Sequence, residues 1–118
     1  MRSEIITWAG GEHAFALTVP LLIALQDRCC GDGVGLIYQR IENGSFKVQD
    51  ILATLHLGLE GGGMDKREAV KLVYALYEDH GLNALVIPAQ VVLALSLNGW
   101  PEQETEEGEG GVETLTTS

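Results

Sequence analysis

Of 118 residues only two are cysteine and seven are Lys or Arg, and each shortage excludes a class of protein. Cys29 and Cys30 are adjacent. Neighbours can close only a strained small ring, so no disulfide framework is expected and no Cys-x-x-Cys pair exists for redox chemistry. The few cations face 17 Asp and Glu, and no stretch alternates Lys or Arg with aromatics. Phosphate backbones are bound by such cations, so direct nucleic-acid binding is not expected. The most apolar run, Leu82 to Leu97, is broken by Asn83, Pro88, Gln90 and Ser96. It falls short of the roughly 20 apolar residues that a membrane span needs, and reads as a buried helix. The opening residues MRSEIITW lack the apolar core of an export signal. With two unbridged thiols, this gives the expectation of a reduced, cytoplasmic setting.

What is present is enough for one core. The apolar share is 46%, and a chain of this size buries roughly two-thirds of its unfolded surface without staples. The net charge of −10 is uneven: Glu102, Glu104, Glu106, Glu107, Glu109 and Glu113 follow Pro101 with no Lys or Arg among them, leaving −4 on the first hundred residues. Residues 1–100 therefore read as a single globular domain, and 101–118 as a disordered acidic tail.

Two β-prone runs, EIITWA and EHAFALTV, flank Gly10-Gly11, a hairpin signal. A lone hairpin is marginal in water, so it must lie on helices. Pro20 suits a first helical turn, with Thr18 as cap; that helix would reach Cys30 and stop at Gly31-Asp32-Gly33. A short helix follows from Val34 to Glu42. In the next, Val48, Ile51, Leu52, Leu55 and Leu59 recur at amphipathic spacing. A helix from Lys66 to His80 turns Ala69, Val70, Val73, Leu76 and Tyr77 inward. The last, about Asn83 to Asn98, is apolar on nearly every face, and is either central in the core or covered by another chain. Pro88 either begins it or kinks it. The fold expected is α+β but mostly α: an N-terminal β-hairpin packed on about five helices, with the acidic tail beyond.

Gly61-Gly62-Gly63 poses the main question of chemistry. A Walker-type phosphate loop needs a preceding strand and a Lys-Ser or Lys-Thr pair. Here a helix precedes the glycines, and Met64-Asp65-Lys66-Arg67 follows. A corner between helices accounts for more residues: Gly61 as the left-handed helix end, Gly62 and Gly63 as the bend, Asp65 as cap of the next helix with Glu68 completing a capping box.

The remaining candidates are thin. His56 and Glu60 stand four apart on one helix, but two ligands do not make a metal site, and they read as surface polar residues. Glu78-Asp79-His80 reads as solvated surface at a helix end. Cys29-Cys30 read as packed small hydrophobes. No nucleophile elbow is present. Neither an enzyme, a cofactor nor a metal is expected.

The stretch GGEHAFALTVPLLIALQD, followed by GLIYQRIENGSFKVQDILATLHLGLEGGGMDKREAVKLVYALYEDHGLNALVIPAQVVLALSLNG, resembles the small gene-transfer-agent family of tailed-phage and prophage proteins, related to phage tail assembly chaperones. Gly44, Ser45, Asp50, Ile51, Leu55, Gly58, Leu59 and Gly61 to Gly63 match its central segment, and the likeness covers about residues 5–100. Cys29-Cys30 depart from it: the family usually has small or acidic residues there. The resemblance implies a non-enzymatic assembly chaperone that holds the tape-measure protein, and in some cases tail-tube subunits, and is absent from the mature particle. The alternative it implies is a structural tail-tube or head–tail connector component. Self-association is open to either. The apolar surplus places partner contacts on the last helix, at Val91, Val92 and Leu95, and on an exposed side of the hairpin, at Trp8 and Phe15.

Overall fold

The structure, a computed structural model, describes residues 2–102; the expected acidic tail lies, from residue 103 on, outside the described residues. Strands β1 (Glu4–Trp8) and β2 (Gly11–Phe15) are followed by α1 (Val19–Arg28), α2 (Val34–Asn43), α3 (Val48–Gly61), α4 (Lys66–His80), a 3₁₀ turn (Leu82–Leu85) and α5 (Val86–Asn98). This is the expected hairpin on five helices.

The hairpin is antiparallel, with Glu4 opposite Phe15, Ile6 opposite His13 and Trp8 opposite Gly11. The turn is therefore Ala9-Gly10, one residue earlier than the Gly-Gly pair suggests. Gly11 alone takes positive φ, +105°, closing the turn as glycine bulges do. The period of two puts Ile6, Trp8 and Phe15 on the buried face and leaves Ile5 and Thr7 outside. Trp8 donates Nε1–H to His13 Nδ1 at 2.9 Å and meets the Phe15 ring edge-on at 5.2 Å.

The hairpin sits on α3, which is central and not amphipathic. Every residue from Asp50 to Leu59 is buried, because α1, α4, α5 and β2 all pack on this one helix. His56, expected at the surface, is 5% exposed. Val48, expected inward, is exposed, since it belongs to the first turn, ahead of the buried stretch. On α4, Ala69, Val73 and Leu76 are buried as expected, while Tyr77 is 45% exposed.

The glycine run is also reassigned. Gly61 is the last residue of α3, and Gly62 caps it with φ −80°; the left-handed residue is Gly63, at +115°. Gly61 and Gly62 are glycine for another reason. A Cβ at Gly61 would lie 1.9 Å from Ala16 O, and one at Gly62 would lie 1.9 Å from Ala14 O. The backbone of β2 and the residues after it rests directly on the helix, and Ala16 N–H donates to Gly58 O at 3.0 Å. Asp65 caps α4 alone, its Oδ2 accepting from Arg67 N–H at 3.1 Å and Glu68 N–H at 3.2 Å.

Thr18 Oγ1 accepts from Leu21 N–H at the start of α1. At its end the helix stops at Arg28, two residues before the expected Cys30, with Cys29 as the cap and Cys30 in left-handed geometry, φ +64°. A side chain there costs about 1 kcal/mol relative to glycine, part of which is offset by glycine's looser unfolded state. Cys30→Gly is therefore expected to raise the unfolding free energy by about 0.5–1 kcal/mol, read from urea denaturation; a loss of stability would show that Cys30 makes an uncounted contact. Pro88 stands in the first turn of α5, so it begins the main helix and does not kink it. The body closes at Trp100 to Glu102: Ser3 N–H donates to Pro101 O at 3.1 Å, and Arg2 Nη1 donates to Trp100 O at 3.1 Å.

Candidate interaction surfaces

Three regions of the molecule concentrate chemistry. The first is a buried polar cluster where α1, α2 and α3 meet. Asp50, in the first turn of α3, is 0% exposed. Its two oxygens accept from Arg40 Nε and Nη2, both at 2.8 Å, and Oδ2 also accepts from Lys47 N–H at 2.8 Å. Arg40 Nη1 donates to Asp32 Oδ2 at 2.8 Å, with Lys47 Nζ nearby at 3.6 Å. Burial alone would push the Asp50 carboxyl up, but the guanidinium, the amide and the Cys29 thiol bonded to it hold it below the usual carboxylate range. Cys29 is pushed up to about 12 by burial, then by the Asp50 charge and its acceptance of the thiol hydrogen. A protonated, buried thiol is a poor nucleophile, and every carboxylate oxygen of Asp50 is occupied by protein donors. The cluster ties three helices together and offers no open face to a substrate.

The second region is His56 on α3. Burial, then the positive charges of Arg28 and Lys66, lower its pKa to about 4. The folded state therefore holds it neutral, while the unfolded chain titrates near 6.5. Stability from this site is fully present above pH 6.5 and is lost as pH falls toward 4, because the unfolded state takes up the proton first. The wild type is expected to lose about 2–3 kcal/mol across that window. His56→Gln should flatten the pH profile of unfolding between pH 7 and 4; an unchanged slope would place the titrating group elsewhere. Among the described residues no three His, Cys, Asp or Glu converge as metal ligands, and no helix is long and apolar enough to cross a membrane.

The third region is the outer side of α5. Ile87 is 64% exposed and Val91 is 37% exposed, one turn apart on the same stripe. Beside Ile87 a groove of about 520 Å³ runs between the end of α2 and the start of α5. Ile41, Phe46 and Val86 form its apolar floor, and Asn83, Gln90 and Glu42 are polar groups along it. Such a surface can accept an apolar side chain and hydrogen-bond the backbone or polar groups beside it.

The five residues singled out from the sequence separate here. Val91 lies on the exposed stripe, and Leu95 is half-buried at its side. Val92 is 0% exposed, as is Phe15, and Trp8 is 9% exposed. These three are corrected to core positions: the hairpin's aromatic face lies against the helices, and Val92 faces α3, where a Cβ at Gly58 would come within 3.4 Å of its Cγ1. Ile41, Phe46, Val86 and Ile87 were missed. A helix apolar all round hides its own orientation: Ile87, Val91 and Ala94 share one row at helical spacing, but nothing in the sequence marks that row as the uncovered one.

A family model described as phage tail tube protein, GTA-gp10, matches residues 3–99, the whole hairpin and all five helices. No curated protein and no solved structure matches the chain.

Proposed function

The chain belongs to the GTA-gp10 phage tail tube family, and from that premise we propose that it serves tail assembly as a non-enzymatic component of the tail tube, acting by protein–protein contact. The observation that carries this reading is the family match over the entire folded body, joined to an exposed apolar stripe at Ile87 and Val91 beside a groove lined by the half-buried Phe46 and Val86. The contacts it makes are with other tail proteins, and they form in the bacterial cytoplasm, where tails are built.

A second reading is favoured by the groove itself. Its floor lies between two helices, the geometry in which an amphipathic helix lays down its apolar face. An assembly chaperone would use it to hold a helical client such as the tape-measure protein before the tube polymerises. Mass spectrometry of purified tails separates the two. Stoichiometric presence supports the tube component; absence from tails, with co-purification of the tape-measure protein from lysates, supports the chaperone.

Both readings use the same surface. Ile87→Glu and Val91→Glu change exposed positions, so helical content should be unchanged by circular dichroism. Loss of a central apolar contact costs about 2 kcal/mol or more, roughly thirtyfold in affinity. Capture of tail proteins by the double variant should therefore fall by at least that factor; undiminished capture would remove this surface from the proposal.

A further inference from the structure

The hairpin has two edges, and the fold treats them differently. Along a strand the N–H and C=O of successive residues point to opposite sides. On β2 the outward side is closed by α3: Ala14 O and the following Ala16 O stand close against Gly62 and Gly61, and Ala16 N–H donates to Gly58 O at 3.0 Å. On β1, Ser3 N–H points away from β2, to Pro101 O at 3.1 Å. Alternation turns Ile5 and Thr7 the same way, while Glu4, Ile6 and Trp8 face Phe15, His13 and Gly11 of β2. Among the described residues the backbone groups of Ile5 and Thr7 have no hydrogen-bond partner. Both residues are exposed, Ile5 by 51%. Edge strands are commonly guarded by Lys, Pro or a bulge. The stretch EIITW carries neither residue, and its register with β2 runs without a bulge.

One short strap stands at the end of this edge. Gly99 closes α5 with φ +119°, and the next residues return beside the start of β1, where Glu102 bridges Arg2 in antiparallel sense. Pro101 thereby takes the place opposite Ser3 that an added strand would need. The strap is lightly held. Arg2 Nη1 donates to Trp100 O at 3.1 Å, and Arg2 Nε lies 3.6 Å from the Glu102 carboxylate, with both side chains largely in solvent. Within the strap, Trp100 Nε1–H is buried and finds no acceptor among the described residues. A buried donor left unmet favours any arrangement in which it reaches water or another acceptor, so the strap closes against a penalty of its own.

The open edge is complementary to itself. When two copies are related by a two-fold axis at Ile6, their β1 strands run antiparallel, and Ile5 of each stands opposite Thr7 of the other. These are the residues whose outward groups are unpaired, so both pairs exchange N–H and C=O in full. On the outer face the β-branched side chains of Ile5 and Thr7 meet across the strands, a favourable pairing. Glu4 falls opposite Trp8 of the second copy, which keeps like charges apart. In this register Ala9 of the second copy falls opposite Ser3, the place Pro101 holds, so strap and second copy exclude each other. We propose that β1 is a self-pairing edge held shut by the Trp100–Pro101–Glu102 strap, and that releasing the strap joins two copies of this chain through one four-stranded sheet. The contact uses neither α2 nor α5, and it holds for either role in tail assembly.

The test is sedimentation equilibrium of the full chain over a concentration series, with amide hydrogen exchange read by NMR. The wild type is expected at the mass of one copy, its Ile5 and Thr7 amides exchanging faster than that of Ile6. Arg2→Glu removes the bond to Trp100 O and sets like charge against Glu102. Its mass should climb with concentration toward two copies, and exchange at Ile5 and Thr7 should slow by roughly tenfold or more as the pairs form. Thr7→Pro in the same background is the control. Thr7 N–H points away from β2, so proline there deletes an edge donor and spares the hairpin's own ladder. The mass should return to one copy, with circular dichroism unchanged. Arg2→Glu that stays at one copy throughout the series would overturn the proposal. So would a wild type already at two copies, since the edge would then not be shut. A rise in mass that Thr7→Pro leaves untouched would also overturn it, because the copies would be meeting elsewhere.

Discussion

Arg40→Met is expected to cost about 3–5 kcal/mol of unfolding free energy, the range seen when one member of a buried ion pair is removed. The reason is what stays behind. Asp50 is fully buried and loses two of its 2.8 Å donors at once, keeping the Lys47 amide and the Cys29 thiol. A carboxylate so stranded either takes up a proton or admits water, and both open the junction of α1, α2 and α3. Against a total stability of roughly 5–15 kcal/mol, this is a large fraction of what holds the chain folded. The pH dependence carries the same signature. Since the folded Asp50 carboxyl is held below its unfolded value, its contribution is present above about pH 4 and is lost as pH falls through the folded value. That window lies below the one assigned to His56. In Arg40→Met the acid limb should move up in pH. The double variant Arg40→Met with Asp50→Leu is expected to recover most of the loss, as apolar replacements of buried pairs often do. Urea denaturation of the two single variants and the double variant closes the cycle; additive losses would mean that Arg40 and Asp50 are not coupled.

Gly62→Ala is expected to destabilise the protein by about 3 kcal/mol or more, at the upper end for overpacking. The added methyl would meet Ala14 O at 1.9 Å and Ala14 C at 2.5 Å. Those are backbone atoms of a paired strand, which cannot rotate away as a side chain can. The whole hairpin must lift, and with it go the contacts of Phe15 and Trp8 and the Ala16 to Gly58 hydrogen bond. Gly61→Ala should behave alike, against Ala16 O. Gly35→Ala is the contrast. A Cβ there meets nothing within 4 Å, the residue is helical and exposed in α2, and alanine should add about 0.5–1 kcal/mol. If Gly62→Ala and Gly35→Ala changed stability equally and in the same direction, close backbone approach would not be the reason for the glycines.

The hairpin, the five helices and most of their ends were legible in the residues, because caps, prolines, glycines and periodicity act within a few positions of one another. Thr18 and Asp65 cap the helices they precede, and Gly44 is left-handed where α2 ends. The interaction surface was half legible. Val91 could be picked from an apolar surplus, whereas Val92 and the hairpin aromatics went with it because surplus does not say which side is covered. The Arg40–Asp50 pair could not be found at all: ten residues apart on different helices, the two have no periodic relation.

The amino-acid sequence by itself determined where the chain turns and which segments are helical, since these depend on short-range backbone chemistry. Only the tertiary structure decided which helix is central. α5 is the more apolar in composition, yet α3 takes the middle: Gly58 leaves room for the Phe15 and Val92 side chains, and Gly61 and the capping Gly62 let the backbone at Ala16 and Ala14 approach where a side chain would hold it off. The elements packed around α3 bury His56 and Asp50 with it, and leave Ile87 and Val91 of α5 at the surface.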